Sequence, residues 1–218
     1  MSVKMNGSKH AAADVCQHRE DILNAAIEVF GRAGYAAAST NEIVKRAQVS
    51  KGLLFHHFVN KEKLYIACQM HVMEMYGEYM EKHINLESDD YFDRVLHNLR
   101  IKMEFGRRHP VLLTLINRAW VTDNEENMLD RKAAEEYILK SSQGKKLATF
   151  FEGIDITRFR EGFDAAKIIN YTRLVLEASW LRFSGERNND IQLIIKEIDS
   201  YIAEAEELIV LFKHGAYR

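Results

Sequence analysis

Features typical of secreted, membrane and β-rich proteins are scarce in this sequence of 218 residues. Two cysteines, Cys16 and Cys68, form no C-x-x-C pair and are too few for a disulfide framework, which indicates a reducing, cytoplasmic location. One proline and few β-branched runs favour helices almost throughout. There is no run of about 18 apolar residues to span a membrane and no apolar signal segment, so no membrane association is expected.

Motifs that carry catalysis or hold a metal are also missing. The nine histidines include no H-x-x-x-H pair and no Cys/His cluster, so no metal site is predicted. The sequence has no Gly-rich phosphate loop and no G-x-S-x-G, and no carboxylate pair stands out among its 32 acidic residues. We therefore expect neither an enzyme nor a bound cofactor.

The charge of the chain is unevenly distributed. The formal net charge of −2 by itself argues against nucleic-acid binding. Residues 1–64, however, hold nine Lys and Arg against six Asp and Glu, whereas residues 65–218 hold 21 against 26. The surplus of cations thus lies at the N-terminal end, where a DNA-binding surface would need it to neutralise phosphates. An imbalance this modest also arises by chance.

Residues 39–64, STNEIVKRAQVSKGLLFHHFVNKEKL, carry the clearest pattern in the chain. They predict two short helices joined by a tight turn, the second with Leu54 and Phe58 on one face, followed by the start of a third helix. Ser39 and Glu42 have the spacing of a capping box, Ser50 is placed to cap the second helix, and Asn60 is placed to cap the third. A short helix with a cationic start, supported by a helix behind it, is what a DNA major groove admits.

This stretch resembles the DNA-binding signature of the TetR family of transcriptional regulators, T-x-x-x-I-A-x-x-A-G-V-S-x-G-x-L-Y-x-H-F-x-x-K-E-x-L. The matching positions are Ser39, Ile43, Ala47, Val49, Ser50, Gly52, Leu54, His57, Phe58, Lys61, Glu62 and Leu64. Upstream, residues 22–40 resemble the first helix of the family. The resemblance implies an all-α protein of about nine helices. Its expected parts are a flexible tail (1–16), a three-helix helix-turn-helix DNA-binding domain (17–64) and a larger ligand-binding and dimerisation domain (65–218).

Residue chemistry and this resemblance together predict the positions that contact DNA. They are Ser39, Thr40, Asn41, Ser50, Lys51, Gly52, Leu53, Phe55, His56, His57 and Lys61. The hydroxyls and helix N-termini suit phosphates, Gly52 permits close approach of the backbone, and Leu53 suits only an apolar contact such as a thymine methyl. His57 and Lys61 are phosphate candidates. For Phe55 and His57 the alternative role is core packing, and for Lys61 it is a solvated position.

Three positions depart from the family pattern. Phe55 stands where the family commonly has a tyrosine whose hydroxyl contacts a phosphate, and Leu53 stands where a polar residue is frequent. Both changes imply fewer polar DNA contacts. Gln48 stands where glycine is expected, so it must adopt the conformation of the turn.

Apolar spacing predicts a first helix at about 14–33 that Gly34 ends in a left-handed conformation, and helices beyond the signature at about 61–86, 89–108, 111–120, 123–151, 164–183 and 191–212. Ser88 and Asp164 are placed to cap the helices that follow them, and Pro110 suits the start of a helix. The helix at about 61–86 is the expected lever between the two domains. The resemblance implies that the larger domain encloses an effector. The candidate residues of its binding pocket are large amphipathic residues on central helices: Tyr76, His97, Met103, Trp120, Tyr137, Tyr171 and Trp180. Core packing is the alternative for each of them.

The last predicted helix carries an apolar stripe wider than one partner helix would cover. In the TetR family the last two long helices pack against their copies in a second subunit as a four-helix bundle. The predicted interface residues are Ile191, Ile195, Ile198, Ile202, Leu208 and Ile209.

Together these features predict a ligand-responsive transcriptional repressor that binds palindromic double-stranded operator DNA as a homodimer. A small apolar or amphipathic effector is expected to release it from the operator. Two alternatives stay open at this point. One is a small-molecule-binding protein of the same fold with weak or lost operator binding, and the other is a transcriptional activator.

Overall fold

The computed structural model describes residues 6–120 and 149–217, and this part of the chain is built of α-helices. The helices are α1 (Asn6–Ala37), α2 (Thr40–Ala47), α3 (Lys51–Phe58), α4 (Lys61–His83), α5 (Tyr91–Arg108), α6 (Pro110–Trp120), α7 (Ala165–Gly185), α8 (Ile191–Lys196) and α9 (Ile198–Ala216). Two 3₁₀ turns, Thr149–Phe151 and Ile156–Arg158, precede α7. The predicted all-α class is confirmed. None of the helices in these two ranges is both long and apolar enough to cross a membrane.

The chain divides into two compact units. Among the described residues, unit 1 contains 6–74 and 114–120, and unit 2 contains 75–113 and 149–217. The boundary between them therefore falls within α4, later than the boundary at 64/65 that the sequence predicts. Unit 1 also takes in most of α6, which sequence patterning assigns to the larger domain.

Helix α1 in unit 1 is longer than predicted. It begins at Asn6, so residues 6–16, expected as a flexible tail, are helical. Gly34, predicted to end the helix in a left-handed conformation, has the non-helical φ 76° and ψ 173°, and two helical segments meet at a kink there. The helical run from Asn6 is therefore interrupted at the predicted glycine, although its ψ lies outside the left-handed helical region, and glycine adopts this conformation without steric cost.

Helix caps in the segment 39–64 follow the prediction at two of three positions. Ser50 accepts a hydrogen bond from the Leu53 N–H at 3.1 Å, and Asn60 accepts one from the Lys63 N–H at 2.8 Å. The capping box predicted at Ser39 is wrong, because the Ser39 hydroxyl makes no capping bond. The Glu42 carboxylate, its expected partner, binds Arg46 one helical turn away instead.

The core of unit 1 holds α2, α3 and the first half of α4 against α1. Leu54 and Phe58 are 0% and 5% exposed, as their spacing on one face of α3 predicts. The Phe30 ring meets the Tyr65 ring edge-on with centroids 4.9 Å apart. Gln69 on α4 is only 1% exposed, yet within the described structure neither atom of its amide has a hydrogen-bond partner.

In unit 2, α9 packs against α5 and α7. One continuous C-terminal helix is predicted, but the structure contains two, because Glu197 (φ −108°, ψ 11°) separates α8 from α9. Two apolar clusters result. The first contains Leu99, Met103, Phe183, Ile194, Ile198, Tyr201 and Ala205, and the second contains Tyr91, Phe92, Phe159, Ile209, Ala216 and Tyr217.

A buried arginine ties together the segments that flank α5. Arg94 is 2% exposed, and its guanidinium donates only to backbone carbonyls, at 2.5–2.9 Å. The carbonyls belong to Leu86, Ser88, Phe150 and Glu152. Arg94 therefore satisfies acceptors from the α4–α5 connection and from the first 3₁₀ turn that would otherwise be buried without donors.

Asp90, rather than the predicted Ser88, caps α5. Its carboxylate accepts hydrogen bonds from the N–H groups of the first helical turn and pairs with Lys213 and Arg158, both at 3.1 Å. Burial alone would raise the pKa of Asp90. The hydrogen bond from the Asp93 N–H and the two cations outweigh burial and hold the pKa below its ordinary value.

The other predicted helices agree with the structure at most ends. Pro110 begins α6, as its missing N–H and fixed φ favour, and Asp164 caps α7. The lever helix α4 ends at His83, before the predicted Leu86. The helix predicted at 123–151 falls mostly outside the described residues, and its last three residues form a 3₁₀ turn.

Candidate nucleic-acid interface

Helix α3 presents one face outward because its opposite face is anchored. Leu54 and Phe58 are buried in the core of unit 1, whereas Lys51, Gly52 and His56 are exposed. The hydroxyl of Ser50 holds the first turn of the helix by capping the Leu53 N–H. The N-terminal end of α3 therefore offers a cation and free backbone to a partner, supported by the positive end of the helix dipole.

Helices α2 and α3 are joined at this surface by a polar contact. The Lys51 Nζ donates to the Asn41 Oδ1 at 3.1 Å, and both side chains are exposed. This contact fixes the Asn41 amide with its oxygen toward the lysine, which leaves the amide NH₂ as a donor. Sequence spacing does not indicate this pairing, because it depends on how the turn brings the two helices together.

Lys61 occupies a more structural position than expected. Its ammonium donates to the Ala36 carbonyl at 3.2 Å and lies 4.8 Å from the centroid of the Tyr35 ring. The side chain is half-buried. It thus binds the start of α4 to the end of α1 through a hydrogen bond and a cation–π contact. Two roles were predicted for Lys61, a phosphate contact and a solvated position. The observed side chain is not fully solvated, and its ammonium already binds groups within the protein.

His57 is half-buried near other cationic groups. Its Nε2 is buried and has no hydrogen-bond partner in the described structure. Burial lowers the pKa of His57, and His56, Arg19 and His18 lower it further. The guanidinium of Arg19 lies 5.3 Å from the centroid of the neighbouring Phe58 ring.

Gly52 has room for a side chain within its own fold. A Cβ built there would meet only the Ser50 Oγ, at an ordinary van der Waals distance of 3.8 Å. Internal packing therefore does not require glycine at this exposed position in the first turn of α3. A molecule that approaches the backbone of α3 closely from outside would be a reason for glycine at position 52.

The eleven predicted DNA-contacting residues lie on α2, α3, the start of α4 and the caps between them. The exposed ones are Ser39, Asn41, Ser50, Lys51, Gly52 and His56, and the half-buried ones are Thr40, Leu53, Phe55, His57 and Lys61. Each keeps some accessible surface. Sequence reasoning did not single out Arg19, which flanks this set from α1.

The predicted effector-binding residues occupy dissimilar environments in the described structure. Met103 is in the first apolar cluster of unit 2, and Trp180 packs against it with its ring 5.0 Å from that of Tyr201. His97 and Tyr171 are exposed. Tyr76 meets Phe105 edge-on at 5.1 Å, and burial raises the pKa of its hydroxyl. The side chain of Trp120 and all of Tyr137 lie outside the described residues.

An open cleft of about 630 Å³ lies in unit 1, on the outer side of α1 and α2. Its lining includes His18, Asp21, Glu28, Arg46 and Gln48. It is a polar surface feature and contains none of the predicted effector-binding residues.

The predicted dimer-interface residues need correction. Ile198 and Ile209 are 0% and 2% exposed and are members of the two apolar clusters, so they cannot face a second subunit. Ile191, Ile195 and Ile202 are partly buried against the first cluster, and Leu208 is half-buried. The spacing of an apolar stripe does not tell whether it packs within the chain or against a second copy, and here its inward face, Ile194, Ile198, Tyr201, Ala205 and Ile209, packs within the chain.

Other large apolar residues are exposed on the C-terminal helices. They are Tyr171, Leu174 and Leu181 on α7, Leu193 on α8, and Val210 and Leu211 on α9. The spacing of the three on α7 places them along one face of that helix.

Comparison with known proteins shows that the predicted DNA-contacting residues lie in a range that one family model matches. Residues 22–68 match the family model described as bacterial regulatory proteins, tetR family. That range contains every predicted DNA-contacting residue, along with α2, α3 and the first turns of α4.

Relatives extend the similarity beyond this domain. The Transposon Tn10 TetC protein of Escherichia coli is 25% identical over 68% of this chain and 82% of its own length. The HTH-type transcriptional repressor NicS of Pseudomonas putida is 24% identical over 53% of each chain. A crystal structure of a TetR family transcription regulator from Marinobacter aquaeolei VT8 superimposes with a TM-score of 0.61 at 14% identity, covering 93% of this chain and 97% of that one. At this identity the structural match establishes the fold.

Proposed function

We propose that this chain, whose residues 22–68 match the tetR family model and whose fold matches that of TetR family regulators, is a transcriptional repressor of that family and binds palindromic operator DNA as a homodimer. A small apolar or amphipathic effector releases it. The observation that carries the DNA-binding proposal is the outward face of α3, where Lys51, Gly52 and His56 are exposed while Leu54 and Phe58 anchor the helix. A short helix supported in this way fits the major groove.

Gly52 and Lys51 make separable contributions to this proposal. An alanine at position 52 has room within the protein and removes the conformational entropy that glycine loses on folding, about 0.5–1 kcal/mol. Gly52→Ala should therefore leave the fold intact or stabilise it, and weaken DNA binding by keeping the backbone of α3 away from the duplex. Lys51→Ala should remove a phosphate or guanine contact, with a shallower dependence of affinity on salt.

The test is binding of the purified protein to the DNA immediately upstream of its own gene, at two salt concentrations and against scrambled competitor. Wild type should bind tightly and resist competition. The Lys51→Ala protein should bind more weakly and with a smaller salt slope. The matched control is Lys167→Ala, which removes an exposed lysine of α7 and should behave like wild type. Equal loss of binding to both DNAs as salt rises would leave only backbone attraction and argue against a sequence-specific regulator.

For the dimer, the exposed apolar residues of α7 and α9 support an interface between two copies of the chain. Leu181 on α7 and Leu211 on α9 are 48% and 69% exposed. Large apolar side chains exposed on two long helices are suited to burial in a four-helix bundle. Leu211→Glu should shift the protein toward monomer in sedimentation experiments. Ile156→Glu, at a residue 63% exposed in the connector, is the control for adding a charge at an apolar surface site. A Leu211→Glu protein that stays dimeric would move the interface elsewhere.

Effector response is supported by the course of α4. This helix starts three residues after α3 ends and contributes residues to both units. An effector bound in unit 2 that has a higher affinity for one position of α4 would favour that position. It would thereby change the fraction of molecules whose α2 and α3 are placed to bind the operator. A panel of hydrophobic compounds that gives no thermal shift would count against this part of the proposal.

Two alternatives make different predictions. A protein of the same fold that only binds small molecules would show no change in DNA affinity in Lys51→Ala, because it would have no specific affinity to lose. An activator would bind the operator, but deletion of its gene would lower rather than raise expression from the neighbouring promoter. Leu53 and Phe55, which replace polar groups of the family pattern, are the features that favour the first alternative.

A further inference from the structure

The two ring nitrogens of His57 lie in different environments. Nε2 is buried and has no hydrogen-bond partner in the described structure. The ring as a whole is only half-buried, and Nδ1 is not among the buried nitrogens without a partner, so Nδ1 is the nitrogen at the surface. Any contact that His57 makes with an external molecule therefore goes through Nδ1.

The surroundings of His57 disfavour a charged ring. The charged and titratable groups that act on it are His18 and Arg19 of α1 and His56 of α3, all of them cationic or able to become so. The His56 and His57 rings meet edge-on with centroids 5.6 Å apart. Burial is the largest influence that lowers the pKa of His57, and these neighbours lower it further. A ring protonated on both nitrogens would also bury an N–H at Nε2 with no acceptor, which costs free energy.

We propose that His57 binds the DNA backbone as a neutral imidazole in one fixed tautomer, with the proton on Nδ1 donated to a phosphate oxygen. This inference rests on the proposed DNA-binding function and specifies how one residue of that site works. A neutral donor orients the protein on the duplex through hydrogen-bond geometry. It releases no counterion, in contrast to Lys51, and takes up no proton when the complex forms.

The tautomer can be read directly in the free protein. Long-range ¹H–¹⁵N correlation spectra of the ¹⁵N-labelled protein between pH 5.5 and 8 report which ring nitrogen carries the proton, with His57→Asn used to assign the signal. We expect His57 to be protonated on Nδ1, and to titrate below about 6.5, the ordinary value for histidine. A dominant Nε2–H tautomer, or titration at or above the ordinary value, would overturn the proposal. This measurement does not depend on finding the operator.

A pair of amide substitutions tests the same point in the complex. The side-chain NH₂ of asparagine lies close to the position of Nδ1, whereas that of glutamine reaches the position of Nε2. His57→Asn should retain affinity within about threefold, and His57→Gln should bind about tenfold more weakly, the effect of one lost hydrogen bond to an anionic group. Neither change should alter the salt slope, and Lys51→Ala should.

The exposed neighbour His56 provides the control. His56→Asn and His56→Gln should resemble each other, because both nitrogens of an exposed ring are accessible to solvent. Thermal unfolding of each variant separates loss of contact from loss of fold. Retained affinity in His57→Gln with loss in His57→Asn, or a smaller salt slope in either, contradicts the neutral Nδ1 donor. Absence of operator binding in the wild type would instead refute the proposed function, while the spectra of the free protein still decide the tautomer.

Discussion

Replacing Arg94 with methionine removes a guanidinium from the interior of unit 2 while keeping most of the apolar length of the side chain. The structure allows the cost to be worked out bond by bond. Arg94 is 2% exposed and donates to four backbone carbonyls. Each buried hydrogen bond contributes about 1 kcal/mol net, and a carbonyl left without a donor costs about 1–3 kcal/mol.

Counted once for each of the four carbonyls, these bonds give about 4 kcal/mol, and the relief of no longer burying a charge lowers the total by a part of that. We therefore expect Arg94→Met to reduce the free energy of unfolding by about 2–4 kcal/mol. Equilibrium denaturation in urea, followed by far-ultraviolet circular dichroism, measures it. The α4–α5 connection and the first 3₁₀ turn should also exchange their amide hydrogens faster, because Arg94 joins them.

The same substitution at Arg100, on the same helix, is the matched control. Arg100 is exposed and pairs with Glu206 at 2.6 Å, so Arg100→Met should cost between 0 and about 1 kcal/mol. If Arg94→Met does not fold, Arg94→Lys provides a second measurement. It keeps the charge but cannot reach all four carbonyls, and should cost less. A loss for Arg94→Met no larger than that for Arg100→Met would refute the reasoning.

Three further substitutions test other features of the described structure. Gln69→Met should raise the free energy of unfolding by about 1–3 kcal/mol in urea denaturation, because the buried Gln69 amide has no partner to lose; a decrease would mean that the amide is bonded in solution. Gln48→Gly should stabilise by about 1 kcal/mol in thermal melts, because Gln48 has φ 56° and ψ 36°, whereas Gln48→Ala should not. The lowered pKa of Asp90 stabilises the fold above its unfolded-state value of about 3.9, and this stability disappears as the pH falls through the lower folded-state value. Melts between pH 2.5 and 5 should therefore depend less on pH in Asp90→Asn than in wild type, and parallel curves would contradict this.

Local signals predicted local structure well. Ser50, Asn60, Pro110 and Asp164 each fix a helix end through bonds within a few residues, or through the geometry of the residue itself, and the structure agrees at all four. The spacing of apolar residues also identified the buried face of α3. Such features depend on the neighbouring sequence alone.

Features that depend on distant residues were not predictable. The apolar stripe of the C-terminal helices continues across Glu197, so its spacing indicates neither the break there nor that Ile198 and Ile209 pack within the chain. At Ser39 the local spacing was itself misleading, because the Ser39 hydroxyl makes no capping bond and the Glu42 carboxylate binds Arg46. The contact of Lys61 with Tyr35 depends on how α1 packs against α4, and the spacing of residues in the sequence does not predict that packing.

The two residues that flank α3 have a consequence for how this helix meets a partner. Gln48 (φ 56°) and Val59 (φ 60°) both hold positive φ without being glycine. A residue with a Cβ is strained at positive φ and keeps this conformation only where the surrounding structure holds it, so both ends of α3 are fixed by their packing and not by local preference. The eight residues of α3 are thus held in one conformation in the folded protein. They need no further ordering when the helix binds a partner. Under the proposed function, a DNA duplex scanned by this surface would meet the same helix at every step, and each encounter would cost little conformational entropy.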